Sequence, residues 1–183
     1  MEEAGGEMKY SIFYLIKGEA GKYNQKLLKT IGPKNGENYM IENPLPSHVT
    51  LKSPFEIDNI REIEEFLDDF VKKQKQSRIE IDGFGNFRRF VAFLKVKFSV
   101  GAKKIQKNLV KELQEFGIKA HEFDLKWDPH ATISYGNTKE SFNGIWKDLK
   151  KLNKPHFDLK FENITIMKRV SSGWKVHKEF KIK

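Results

Sequence analysis

The chain has 183 residues, 38% hydrophobic and 32% charged, which suits one domain with a sizeable core and excludes a disordered chain. Zero cysteines exclude disulfides, thiolate metal sites and a Cys nucleophile, and no apolar run approaches the roughly 18 residues of a membrane span. Thirty-four Lys+Arg against 25 Asp+Glu leave +9, which favours an anionic partner, most simply nucleic acid. The opening Met1–Glu7 is acidic and polar and does not read as a signal peptide. A cytoplasmic monomer with no membrane partner is expected.

In chain order, Lys9–Ile16 is aromatic and β-branched and predicts a strand. Glu19–Ile31 places Tyr23, Leu27, Leu28 and Ile31 at helical spacing, which Gly32-Pro33 should stop. The proline-rich Gly32–Pro46 predicts a loop, and Ser47–Leu51 a strand. Asp58–Lys75 keeps Ile60, Ile63, Phe66, Leu67, Phe70 and Val71 at helical spacing behind a capping Asp58. Arg78–Phe84 alternates as a strand does.

The second half repeats this order. Arg89–Val100 predicts a strand, and Gly101–Phe116 a helix ended by Gly117. His130–Tyr135 follows as a strand, Thr138–Leu152 as a helix capped by Thr138, and His156–Met167 as a strand. Trp174–Ile182 then closes a hairpin after Ser171-Ser172-Gly173. A β-α-β-α-β unit therefore occurs twice, over about residues 8–87 and 88–170, and RIEIDGF resembles HFDLKFENI as third strands. Internal duplication predicts an α+β fold: one bilobal domain over 1–183, with antiparallel sheets facing a central cleft and helices outside.

One tetrapeptide recurs at the same place in both halves: His48-Val49-Thr50-Leu51 and His130-Ala131-Thr132-Ile133. Residues i and i+2 of a strand share a face. Each strand then presents an imidazole beside a hydroxyl, and the same count adds Lys52 and Ser134. Histidine titrates near pH 6.5, so one ring takes a proton while its twin gives one. Threonine hydroxyls donate to non-bridging oxygens where charge accumulates. A lone H-x-T on a strand is ordinarily a packed histidine beside a surface threonine. Two copies at matching places in a duplicated chain point to phosphoryl transfer without a metal.

These residues carry a resemblance. The doubled H-x-T-x is similar to the signature of the 2H phosphoesterase superfamily, especially its 2′-5′ RNA ligase/RNA 2′,3′-cyclic phosphodiesterase branch. P-L-P-S-H-V-T-L-K-S-P-F resembles the first motif segment and W-D-P-H-A-T-I the second. I-D-G-F-G-N-F with R-R-F-V-A-F-L-K-V resembles the linker between lobes, and G-W-K-V-H-K-E-F-K-I the closing strand. The likeness spans residues 9–182. It implies His48 and His130 as the acid/base pair, Thr50 and Thr132 as phosphate-binding, and a reaction needing neither ATP nor a cofactor. The activities it implies are opening of RNA 2′,3′-cyclic phosphates to 2′-phosphates and reversible 2′-5′ joining, with RNA ends, tRNA fragments or nucleotides as partners. Several members of that branch carry a basic residue just after the second motif, where this chain has Ser134-Tyr135.

Lys52, Ser134, Phe55 and Tyr135 are expected at the periphery of the site, with Phe55, Tyr135 and Trp174 able to stack a base. His121 and His177 read as surface residues and His156 as a strand start. Gly83-Phe84-Gly85 and Gly18–Lys22 read as turns, since neither has the spacing of a nucleotide-binding loop. No metal-ligand signature is present. Two other readings stay open: a 2H module that binds nucleotide or RNA without turnover, and a 2H esterase acting on a non-RNA metabolite.

Overall fold

The computed structural model describes residues 8–183; the acidic opening Met1–Glu7 lies outside them. Strand β1 (Met8–Leu15) is followed by helix α1 (Gly18–Lys34), a short α2 (Tyr39–Glu42), β2 (His48–Ile57), α3 (Ile60–Lys72) and β3 (Ser77–Phe87). The second half runs β4 (Val91–Phe98), α4 (Val100–Leu113), a 3₁₀ turn, a short α5 (Glu122–Leu125), β5 (His130–Tyr135) and α6 (Lys139–Lys150). It finishes with β6 (His156–Phe161), β7 (Asn163–Val170) and β8 (Gly173–Lys181).

Two four-stranded antiparallel sheets result, ordered β2-β1-β7-β8 and β5-β4-β3-β6. Each half keeps its first two strands together and gives its third to the sheet of the other half. The segment expected as one strand over His156–Met167 breaks at Glu162: β6 pairs with β3, and β7 crosses to β1. RIEIDGF and HFDLKF are therefore neighbours, and β7 is the strand equivalent to β3. The two motif strands, β2 and β5, are the corresponding edges of the two sheets, and they approach within 8 Å between Cα atoms.

The elements follow from their patterns. The last six residues of β1 are all buried, because the strand is central and covered on both faces. In α3, Ile63, Leu67, Phe70 and Val71 face the core, each large apolar chain contributing roughly 1.5–3 kcal/mol on burial. Its cap is Asn59, whose side chain accepts from the Arg61 amide, one residue after the expected Asp58. Thr138 accepts from the Ser141 amide and caps α6 as its sequence predicts. Gly117, at φ 77°, ends the 3₁₀ turn after α4. Core residues from both sheets and all four long helices form one continuous cluster.

Gly83-Phe84-Gly85 is not a turn but the middle of β3. Gly83 sits at φ 86° where the β3–β4 register slips, a bulge that glycine permits. A Cβ on Gly85 would lie 2.5 Å from the Phe93 ring, so glycine there lets that ring lie across the strand. Likewise Gly18–Lys22 is the first turn of α1, which runs past Pro33 to Lys34.

Candidate active site

Pairing against the neighbouring strands defines which residues share the site face. On β1 and β2, Leu15 lies opposite His48 and Phe13 opposite Thr50. On β4 and β5, Lys95 lies opposite His130, Phe93 opposite Thr132, and Val91 opposite Tyr135. Phe13 stacks face to face on His48 with centroids 3.9 Å apart. Phe93 and Phe87 close on His130 at 5.1 and 4.8 Å, Phe87 edge-on. Both histidines thus rest on phenylalanine from the adjacent strand.

The same backbone device orients both rings. His48 Nδ1 lies 2.8 Å from the Pro46 carbonyl, and His130 Nδ1 2.8 Å from the Asp128 carbonyl. A carbonyl only accepts, so each Nδ1 carries the hydrogen and each neutral ring keeps its lone pair on Nε2. Burial pushes the His48 pKa down to about 4, against a weaker pull upward from the Pro46 carbonyl, and a charge on His130 depresses it further. Burial also lowers His130, opposed by the Asp128 carbonyl and the Asp128 charge.

Each half also braces the motif of the other. Trp127 Nε1 donates to the Thr50 carbonyl at 2.7 Å, and Asn24 Nδ2 donates to the Thr132 carbonyl at 3.1 Å. Asn24 Oδ1 accepts from Ser47 Oγ, linking the residue before His48 to the opposite strand. With their carbonyls held this way, Thr50 and Thr132 remain partly exposed on the site face.

Lys52 and Ser134 depart from the count of two. The register slips after Thr50 and after Thr132, so that Lys52 lies opposite Ile12 and Ser134 opposite Ala92. A bulge at the same place in both strands turns both side chains inward. Lys52 is 1% exposed, with Nζ 2.8 Å from Asp124 Oδ2 and 3.0 Å from the Ser53 carbonyl. Burial would raise the Asp124 carboxyl, but Lys52 and the Ser53 and His121 amides hold it below the usual carboxylate range. Ser134 is fully buried and accepts from Asn137. Phe55 is buried against Tyr10 and beneath the Lys52 cation, not open to a base. Trp174 packs behind Phe13 and under Arg169. The residue that the second bulge restores to the site face is Tyr135, 41% exposed.

Against this geometry the comparisons are consistent. The sequence profile of the 2′-5′ RNA ligase superfamily matches residues 39–173. The chain belongs to this superfamily. Similar solved structures include a phosphoesterase at TM-score 0.68 and 14% identity, covering 97% of this chain and 99% of that one. TT0787 of Thermus thermophilus gives 0.63 at 14%, covering 96% and 98%. LigT of E. coli, solved with 3′-AMP, gives 0.64 at 14%, covering 97% and 99%. At these identities the likeness speaks for the 2H phosphoesterase fold. No curated protein matches.

An exposed cation stands beside the second motif, on the neighbouring strand. Lys95 is exposed, directly opposite His130, and makes no ion pair among the described residues. Its signal in the sequence was the strand partner of the motif, which only the register reveals. Of the other histidines, exposed His121 caps α5, and His177 bonds Glu64 at 2.6 Å on the outer face. Glu80, Asp82 and His156 converge closely enough to hold a metal ion, but Lys97 and Lys154 already lie 2.6 Å from the two Asp82 oxygens. No helix among the described residues is long and apolar enough to cross a membrane.

Proposed function

We propose that the protein opens RNA 2′,3′-cyclic phosphate ends to 2′-phosphates by two-histidine acid/base catalysis, the same groups serving reversible 2′-5′ joining, in which a 5′-hydroxyl takes the place of water. The observation that carries this reading is the paired anchoring of His48 and His130 through Nδ1, each beside a threonine on the same face of an edge strand. Family membership and the nucleotide in the related LigT structure support the substrate class.

The electrostatics favour a division of labour. Burial pushes His48 down to about 4, which keeps it neutral as a base, whereas the Asp128 carbonyl and charge oppose the lowering by burial at His130 and favour its protonated form. His48 Nε2 takes a proton from water as its oxygen attacks phosphorus. The bond from phosphorus to the ribose 3′-oxygen breaks, and His130 gives its Nε2 proton to that oxygen, leaving a 2′-phosphate. Thr50 and Thr132 donate to the non-bridging oxygens; losing one such donor typically costs about 10²–10³ in rate. Lys95 supplies the cation beside the group that departs.

The test is incubation, with chelator present, of a short RNA ending in a 2′,3′-cyclic phosphate, with 2′- and 3′-phosphate products resolved. A 2′-phosphate made by the wild type and lost in His48→Ala and His130→Ala is the expected result. Tight nucleotide binding with no product between pH 5 and 8 would replace it with the binding-module reading.

A further inference from the structure

Beyond the two motifs, three exposed aromatic rings from three separate segments meet at one end of the second half-site. Tyr135 closes β5, Tyr39 opens α2, and Phe90 lies in the loop joining β3 to β4. Tyr39 and Phe90 each sit 5.0 Å from the Tyr135 ring, and the three are 47%, 46% and 41% exposed for Tyr39, Phe90 and Tyr135. Monomeric surfaces normally scatter large apolar groups singly. Here three are gathered, and on the face that also carries His130, Thr132 and Lys95. The two strand steps from Phe93 to Val91, at about 3.3 Å each, put the paired Tyr135 roughly 7 Å from Thr132, about one nucleotide along an extended chain.

This cluster is built and held. Glu37, 7% exposed, accepts from the Tyr39 amide at 2.6 Å, and burial raises its pKa. The Phe90 carbonyl accepts from the Asn137 amide, and Asn137 in turn holds Ser134. The Phe90 loop carries strain: Arg88 and Arg89 adopt φ of 48° and 60°, the left-handed region that Gly or Asn fills at lower cost. Both arginines are exposed and make no ion pair among the described residues. Strain retained beside exposed, unneutralised cations points to use by a ligand rather than to stability.

We infer that Tyr39, Phe90 and Tyr135, with Arg88 and Arg89, form a platform for the single-stranded RNA leading to the reacting end: bases stack on the rings while the arginines track phosphates. This rests on the proposed function for the position of that end. The occupant is argued from charge. Two free arginines, Lys95 and a net +9 suit a polyanion and oppose self-association through the same patch. Aromatic rings on a basic track are the usual grip on single strands, since every base offers a π-face.

The test separates this from the chemistry. Anisotropy of a fluorescent hexaribonucleotide ending in an ordinary 3′-hydroxyl reports binding without turnover, at several salt concentrations. Tyr39→Ala/Phe90→Ala should weaken binding about tenfold or more. Arg88→Asn/Arg89→Gly should leave the fold as stable or stabler, because both replacements suit the turn. It should flatten the slope of log affinity against log salt by about 1.4, or roughly 0.7 per lost phosphate contact. In parallel, kcat/KM for a hexamer ending in a 2′,3′-cyclic phosphate should fall more than that for a 2′,3′-cyclic mononucleotide. Equal loss on both substrates, unchanged hexamer binding, or no wild-type binding overturns the platform. So does sedimentation showing a wild-type dimer that Tyr39→Ala dissolves. If neither cyclic substrate turns over, the proposed function falls, and the anisotropy alone still decides the platform.

Discussion

The two half-sites share a backbone and differ in what surrounds it. Both hold a histidine by a carbonyl two residues upstream, rest it on phenylalanine from the next strand, and bulge immediately after the threonine. Under the first bulge lies a buried ion pair, Lys52–Asp124; under the second lies a neutral pair, Ser134–Asn137. Across from His48 stands Leu15, and across from His130 stands Lys95. The carbonyl that holds His48 belongs to a proline, whereas the one that holds His130 belongs to Asp128, whose charge partly offsets the effect of burial. The frame is thus the same in both halves, while the groups around it differ, apolar beside His48 and charged beside His130, and that difference is what suits them to the proposed roles of base and acid.

The largest test of that asymmetry is kinetic. His48→Ala and His130→Ala should each remove at least about 10²-fold of rate, and the double variant little more. Their pH profiles should differ. The base must be neutral, so kcat/KM rises with pH through the His48 pKa near 4. The acid must be protonated, so it falls as pH passes the His130 pKa, itself below 6.5. The wild-type optimum therefore lies on the acid side of pH 6.5. His48→Ala should keep only the falling limb, His130→Ala only the rising one, and Asp128→Asn should move the falling limb to lower pH. Exchanged limbs would reverse the assignment of base and acid.

Next in size is the stability of the first half-site. Lys52 and Asp124 are 1% and 2% exposed, so Lys52→Met strands a buried carboxylate that also anchors the Ser53 and His121 amides. Breaking such a pair costs about 3–5 kcal/mol, read as a lower denaturant midpoint. Lys52→Met/Asp124→Leu should recover part of that loss, because no charge is then left unpaired. Ser134→Ala, the matching change in the second half, should cost about 1 kcal/mol, the worth of one neutral hydrogen bond. Similar losses in both halves would remove the contrast.

How much of this was written in the sequence follows the range of the interactions. Helices over 19–31, 58–75, 101–116 and 138–152 showed in their apolar spacing, because an amphipathic face is a local pattern. The doubled H-x-T, its placement on a strand in each half and the family were legible for the same reason. The strand exchange was not: β7 pairs with β1 across more than a hundred residues, and β3 pairs forward with β4 and β6 rather than back with β1. The bulges were equally hidden: one slipped residue reverses the face of everything after it. That slip is why Lys52 and Ser134 turn inward and why Tyr135 turns outward, while Lys95, found only by register, places a cation on the site face ahead of it.

Lys95 provides a finer contrast. Lys95→Met should raise KM for a cyclic-phosphate substrate roughly tenfold, the scale of one charge-assisted hydrogen bond, and Lys95→Arg should restore most of it. Leu15→Lys, which places a cation at the matching position beside His48, should not rescue Lys95→Met. A cation there disfavours proton uptake by the base. Full rescue would mean that the phosphate sits midway between the halves and that neither side owns it.

The smallest effects should fall on the braces, where the halves are most alike. Trp127→Phe keeps the ring against Phe98 but removes the donor to the Thr50 carbonyl. Asn24→Leu removes the donor to the Thr132 carbonyl and leaves Ser47 without its acceptor. Each lost hydrogen bond is worth about 1 kcal/mol of stability. Because neither side chain touches the reacting atoms, the change should appear in kcat, through a displaced threonine, with KM held. Trp127 crosses from the second half to the first and Asn24 from the first to the second. If the variants act through alignment of the halves, combining them should cost less kcat than the product of the two single losses. Once one brace is released, the other no longer fixes the relative position of the two strands.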